Sequence, residues 1–191
     1  MTELACALYY HFSETPAATA ALLVQKCREA GHRAIFGIVG AKLVPRVLAD
    51  YGYIEDACKI VTQDEYPGWG YSIKQGATTL WEQWSGINSQ CHIMYGSIDA
   101  WMYEYLAGIR IEEPAFKTIR FAPCFVTGVN QVEATRKTSS GIVSSKWLRN
   151  GNEIIFECHI PKGSIGILDS NGVRESGLTG IQKRIIKINQ E

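Results

Sequence analysis

Tyr66-Pro67-Gly68-Trp69-Gly70-Tyr71, then Gly76-Ala77-Thr78-Thr79-Leu80-Trp81-Glu82-Gln83-Trp84, then Cys91-His92-Ile93-Met94-Tyr95-Gly96-Ser97 form one aromatic-rich region in a chain of 191 residues. Four of the five tryptophans lie between Trp69 and Trp101. One carboxylate, Glu82, stands between Trp81 and Trp84, and His92 follows ten residues later. Broad aromatic faces around a single acid suit a carbohydrate: the apolar C–H faces of a pyranose stack on rings, and its hydroxyls need a few placed polar partners. A glycosidase needs carboxylates, one to protonate the leaving oxygen and one to activate water or attack. The plain alternative is that the tryptophans are core and Glu82 is a solvated surface acid.

Working outward, the residues before this region read as helices. Thr2 to about Phe12 places Leu4, Ala7 and Leu8 on one face and begins without a preceding cap, which suggests a chain cut inside a larger domain. Thr15-Pro16 is a helix start, Ala20, Leu23, Val24 and Cys27 follow helical spacing, and Gly31 ends the run. Gly37 and Gly40 are expected to bracket a loop before a third helix from about Lys42, with Pro45 in its first turn. A fourth helix carries Ile54, Ala57, Cys58 and Val61, a short helical segment is expected over Thr78 to Trp84, and Ser97 caps a last helix with Ile98, Trp101, Met102 and Tyr105 as its stripe.

Character changes at Glu112-Glu113-Pro114. Strands are expected over Lys117–Ala122, Gln131–Lys137, Ile142–Leu148, Glu153–Ile160, Ser164–Leu168 and Gln182–Ile188, with Asn150-Gly151 as a hairpin turn. Short strands at regular spacing argue a β-sandwich. The expected order is helices first and strands second, with residues 1–112 as a helical domain and 114–191 as a β-domain.

Gly-Ala-Thr-Thr-Leu-Trp-Glu-Gln-Trp, after Tyr-Pro-Gly-Trp-Gly and before His-x-Met-x-Gly-Ser, resembles the bacterial α-L-rhamnosidases that invert configuration. Gly37-Ile38-Val39-Gly40, Trp101-Met102-Tyr103-Glu104-Tyr105-Leu106-Ala107-Gly108-Ile109 and the β-rich tail are similar to the same family. The resemblance spans nearly all of this chain but only the C-terminal part of the family's usual length. It implies the C-terminal half of an (α/α)6 barrel followed by a C-terminal β-sandwich. It also implies hydrolysis of terminal α-L-rhamnosides with inversion, Glu82 as general base and His92 as a sugar contact. The family's general acid lies in an upstream Asp-x-Pro-x-Arg-x-Glu type segment, which does not occur in these 191 residues. The expectation is therefore a fragment inactive alone, whose partner is the missing upstream half-barrel or a second copy meeting its exposed helix faces. The rival reading is a non-catalytic carbohydrate-binding or structural remnant.

Without the resemblance, His92 reads as a hydrogen-bonded structural histidine. Trp69, Trp81 and Trp84 divide between stacking platform and core, with at least one on the sugar, and Tyr66 and Tyr95 are weaker sugar-side candidates. Trp101 reads as core, and Asp99 answers a helix dipole. The remaining sequence excludes much else. Formal charge is zero and no basic run occurs, which argues against nucleic acid and anionic membrane. No stretch approaches the roughly 18 apolar residues of a membrane helix, and no signal peptide is read on this chain, so it is cytoplasmic by default. The six cysteines lack metal spacing and read as reduced and mostly buried; no cofactor or metal is expected.

Overall fold

A computed structural model describes residues 1–188 and resolves into two compact units, Met1–Trp101 and the residues from Met102 onward. In the first, α1 (Thr2–Tyr9), α2 (Pro16–Glu29), α3 (Ile38–Asp50) and α4 (Ile54–Val61) are followed by the short α5 (Trp69–Lys74) and α6 (Ser97–Trp101). Helix α3 is the centre, touching α1, α2, α4 and α6. Its Leu43, Val44, Val47 and Leu48 are buried, as are Leu8 of α1, Leu23, Val24 and Cys27 of α2, and Ala57 and Ile60 of α4. The 3.6-residue spacing read in the sequence is thus the spacing of the core face.

Two local expectations fail at α3. Gly37 is its N-cap and Gly40 lies inside it, so no loop separates them. The glycine at 40 is required by close packing, since a Cβ there would fall 2.5 Å from Phe36 Cβ and 2.7 Å from Thr2 Oγ1. Pro45 lies well inside the helix instead of in its first turn, and its carbonyl accepts the Trp101 indole N–H at 3.0 Å. Thr78 to Trp84, expected as helix, is irregular. Four of its residues, Thr79, Leu80, Glu82 and Trp84, make polar contacts with more distant residues instead of helical ones, as set out below.

Asp56 of α4 is buried and links α4 to the end of α2. The Arg28 guanidinium donates twice to its carboxylate, at 2.8 and 2.7 Å, and His32 Nε2 lies 2.8 Å from Oδ1. The Arg28 hydrogen bond, aided by that of His32, outweighs burial and holds the Asp56 carboxyl below its ordinary range.

The second unit opens with a π-helical turn, Met102–Leu106, and holds eight strands among the described residues. One sheet has the order β1 (Ile109–Ile111), β2 (Thr118–Phe121), β6 (Ile165–Ser170), β7 (Val173–Leu178); the other is β3 (Gln131–Thr138), β4 (Gly141–Asn150), β5 (Glu153–Ile160), β8 (Gly180–Lys187). Among the described residues only the β2–β6 pairing is parallel. Ile119, Phe121 and Leu168 from the first sheet share one core with Val143, Trp147, Ile154, Phe156, Cys158 and Ile186 from the second, which makes a β-sandwich. The Trp147 indole N–H donates to the Leu106 carbonyl at 2.8 Å, and the Ser145 hydroxyl to that of Ala107 at 2.6 Å, so these two groups are satisfied, whereas the buried Ser164 hydroxyl has no partner among the described residues.

The strands β1 and β7 escape the sequence reading. One is only three residues long and the other contains Gly177. Pairing of β1 with β2 places the Glu112-Glu113-Pro114 break inside the second unit, between these two strands. The β4–β5 loop is Gly151-Asn152, one residue beyond the Asn-Gly pair's expected place, with Asn150 opposite Glu153 and Gly151 at φ 61°. Among the described residues no helix is long and apolar enough to cross a membrane.

All six cysteines are free; Cys27, Cys58 and Cys158 are buried, Cys6 and Cys124 half-buried and Cys91 exposed, so burial is less general than expected. Burial pushes the Cys27 thiol up to about 11 and that of Cys158 up to about 12. A thiol-specific reagent is expected to modify Cys91 first in the native protein, and Cys27, Cys58 and Cys158 only after denaturation. Mass mapping of the modified sites checks this; rapid native labelling of Cys158 would contradict the packing described.

The Asp56 carboxyl gives a second test. Its folded-state pKa lies below the unfolded value of about 3.9. Its contribution to stability is therefore complete above that value and is lost as pH falls through the folded pKa. Asp56→Asn is expected to lower stability at neutral pH by about 1–3 kcal/mol and to flatten the acid-side decline. Urea unfolding across pH 2 to 7 measures both; an unchanged acid limb would contradict the role given to Asp56.

Candidate functional site

The aromatic region that opens the sequence condenses around three rings. Trp69 and Trp84 are each 8% exposed and Tyr95 is 5% exposed. Trp84 stacks on Tyr95 with centroids 3.9 Å apart and planes 11° from parallel, while Trp69 meets Trp84 edge-on at 4.9 Å. The indole N–H groups are occupied as well: Trp84 donates to the Phe36 carbonyl at 3.0 Å and Trp69 to that of Tyr95 at 3.1 Å. These rings are core, with their polar edges paired. Burial also pushes the Tyr95 phenol up, helped by the nearby Tyr66.

Trp81 is the tryptophan of the three that keeps an open face. It is half-buried, and its ring lies against Gly86, where a Cβ would come within 2.7 Å of Cζ3. Gly86 also has φ 69°, so this turn needs glycine twice over. Tyr66 is 51% exposed and meets Tyr71 edge-on at 5.2 Å.

Glu82 is half-buried on an irregular hairpin between residues 79–82 and 89–92. Its amide donates to the Ser89 carbonyl at 2.8 Å, and the Ser89 amide donates back to Glu82 Oε2 at 3.2 Å. The carboxylate is thereby tied to the backbone of the facing segment through one oxygen, while Oε1 accepts no hydrogen bond among the described residues. The His92 amide donates to the Leu80 carbonyl at 2.8 Å, and the Thr79 hydroxyl donates to the Gln90 carbonyl. The same irregular hairpin therefore carries both Glu82 and His92, paired with Ser89 and Leu80 respectively.

His92 is also the cap of the short 3-10 turn Ile93–Tyr95, with Nδ1 accepting the Met94 amide at 3.4 Å. An acceptor at Nδ1 puts the proton of a neutral imidazole on Nε2, leaving that N–H as a donor for a hydroxyl. Among the described residues no group of three His, Cys, Asp or Glu side chains is placed to hold a metal ion. A cleft of about 300 Å³ lies beside this hairpin, with Tyr71, Thr79, Trp81 and Gln90 in its wall and neither Glu82 nor His92 among its lining.

Ser89, Tyr71 and Gln90 were not singled out from sequence. A serine whose contribution is a backbone amide has no signature in its residue type, and a glutamine in a polar loop looks like solvated chain. The glycine at 86 is the one sequence sign that the segment doubles back.

Comparison with known proteins gives this geometry a family. The model of the bacterial α-L-rhamnosidase six-hairpin glycosidase domain matches residues 1–106, and that of the bacterial α-L-rhamnosidase C-terminal domain matches residues 108–180. An α-L-rhamnosidase of Formosa agariphila is 34% identical over 150 residues, covering 73% of this chain and 16% of the relative. One from Streptomyces avermitilis is 31% identical over 136 residues, covering 65% of this chain and 13% of the relative. The solved structure of the α-L-rhamnosidase from Dictyoglumus thermophilum superposes with a TM-score of 0.88 at 30% identity, covering 97% of this chain and 25% of that one. That of Aspergillus terreus gives a TM-score of 0.91 at 23% identity over 97% of this chain and 24% of that one, a likeness of fold. The chain thus spans about a quarter or less of the length of these relatives. With a helical unit followed by a β-sandwich and both family models matched in order, the chain belongs to the bacterial α-L-rhamnosidase family of six-hairpin glycosidases.

Proposed function

We propose that this chain carries the general-base side of an α-L-rhamnosidase site, for hydrolysis of terminal α-L-rhamnosides with inversion. Glu82 is the base and His92 binds a sugar hydroxyl through its Nε2–H. Trp81 is the aromatic platform, with Tyr66 beside it, and Trp69 and Trp84 support the site from the core. The carrying observation is the Glu82 carboxylate, braced by the Ser89 amide through Oε2 with Oε1 left to hold a water. An inverting hydrolase needs that arrangement: a fixed carboxylate that orients water against the anomeric carbon while a second carboxyl, roughly 6.5–9.5 Å away, protonates the leaving oxygen. A rhamnosidase from Streptomyces avermitilis with a TM-score of 0.89 has been solved with L-rhamnose, which supports the sugar class.

The acid in this reading comes from residues outside these 191, on the rest of a barrel that meets the helical unit. The exposed Tyr10 (55%), Phe12 (78%), Ile35 (54%), Val39 (52%), Ile73 (70%) and Ile93 (86%) give that unit an apolar surface for such a partner, or for a second copy.

Protonation of the leaving oxygen contributes on the order of 10²–10⁴-fold in rate. The chain alone is therefore expected to be nearly inert on an alkyl α-L-rhamnoside and to act, weakly, on a nitrophenyl one, whose leaving group needs little protonation. Rhamnose release from both substrates, beside Glu82→Gln, is the measurement. Loss of the residual aryl activity in Glu82→Gln, with the β anomer of rhamnose formed first by NMR, is the expected result. Aryl activity that survives Glu82→Gln would remove Glu82 as base, and an α product would remove inversion. Full activity on the alkyl rhamnoside would place the acid within this chain.

A further inference from the structure

The outer face of the β3-β4-β5-β8 sheet carries a pattern that the proposed chemistry does not use. Along β4 and β5 the side chains alternate between core and solvent. Val143, Trp147, Ile154 and Phe156 are buried, whereas Leu148 and Ile155 are exposed, as is Ile185 of β8. Leu148 pairs with Ile155, and Ile155 with Ile185, so these three aliphatic side chains form one row across the sheet. Two positions along the strands, on the same face, runs a row with one residue from each strand: Glu133, Lys146, Glu157 and Lys183. Its charges alternate in sign. Lys146 reaches Glu133 at 3.0 Å and Lys183 reaches Glu157 at 2.8 Å, with all four side chains exposed. Such exposed pairs add little to folding, and an aliphatic row beside them gains only when something covers it.

The order of the charges decides what fits there. Two copies that meet face to face by symmetry are related by a two-fold axis in the plane between them. With that axis parallel to the strands and between β4 and β5, the charged row falls on its own reverse. Glu133 then faces the other copy's Lys183, and Lys146 faces the other copy's Glu157, so that every charge meets its opposite. In the neighbouring row Leu148 meets the other copy's Ile155 on both sides of the axis. With the axis across the strands, Glu133 would face Glu133 and Lys146 would face Lys146, which opposes association. The face is thus complementary to itself in one orientation.

We propose that this sheet face is a self-recognition surface, on which a second copy of this chain docks about a two-fold axis parallel to the strands. The spacings of residues along a strand and of strands in a sheet make the face roughly 24 Å long and 19 Å wide. That is on the order of 450 Å² per copy, against roughly 800 Å² per partner in a standard stable interface. The dimer is therefore a weak one that forms in concentrated solution, and its specificity comes from the charged row. It does not depend on Glu82, and it uses a different surface from the exposed apolar residues of the helical unit.

The test is an NMR titration of the isotopically labelled 191-residue chain with unlabelled chain, followed at the backbone amides of Lys146, Leu148 and Ile155. Unlabelled chain of the same sequence is expected to shift these amides as its concentration rises. A variant carrying Glu133→Lys, Lys146→Glu, Glu157→Lys and Lys183→Glu together keeps the net charge and both ion pairs within the chain, with their signs exchanged. It is expected to associate with itself as the unaltered chain does. Added to the labelled unaltered chain it should produce no shifts, because acid would then face acid and base would face base. Ile155→Thr keeps a β-branched residue at an exposed strand position and is expected to weaken association roughly tenfold, since the contact occurs twice in the dimer. Absence of concentration-dependent shifts on this face would overturn the proposal, as would shifts confined to the helical unit. Equal shifts from the unaltered and the charge-exchanged chains would overturn it too, as would association undiminished in Ile155→Thr.

Discussion

The stack of Trp84 on Tyr95 is the contact on which the candidate site depends. Residues 77–92 contain no helix or strand among the described residues, and only a few backbone hydrogen bonds, such as Glu82 to Ser89 and His92 to Leu80, cross the segment. What fixes them is an aromatic core into which the segment inserts Trp84, with Tyr95 across a 3.9 Å stack, Trp69 edge-on, and the Phe36 carbonyl taking the indole N–H. Such a pair contributes about 0.5–1.5 kcal/mol beyond its burial, and loss of the indole would leave a buried carbonyl unpaired at about 1–3 kcal/mol. Those terms are large enough to order a loop of this size. Glu82 lies two residues before Trp84 and so takes its place from it.

This explains why an aromatic-rich stretch could be read as a site while the roles of its rings could not. Trp69, Trp81 and Trp84 are identical in composition; what distinguishes them is which backbone carbonyl each indole reaches, and those carbonyls lie at Phe36 and Tyr95, far off in sequence for Trp84 and 26 residues on for Trp69. The helices α1 to α4 were legible because their apolar faces repeat at helical spacing. The strands β3, β4, β5 and β8 were legible because each is long and alternates. Segment 78–84 was misread as helix because its Leu and Trp residues mimic a stripe, whereas Glu82 and Thr79 are committed to partners across the hairpin. Pro45 and Gly40 look like breaks and are instead packing residues of the central helix.

The hairpin presents two different chemistries. It carries a carboxylate with a free oxygen and an imidazole whose capping duty sets its tautomer. It also contributes Trp81 and Thr79 to the lining of an uncharged cleft. Trp81 and Glu82 are neighbours in the chain, so a change that displaces one also moves the other.

The claim that the aromatic stack positions the Glu82 hairpin is tested most directly by amide hydrogen exchange in Trp84→Leu beside the unaltered chain. The amides of Glu82 and His92 donate to Ser89 and Leu80 within the hairpin, whereas those of α3 and α4 belong to the helical core. The account predicts that Trp84→Leu abolishes protection at Glu82 and His92 while the α3 and α4 amides remain protected. Protection of Glu82 and His92 that survives the loss of Trp84 would show that the hairpin holds itself, and would contradict the account.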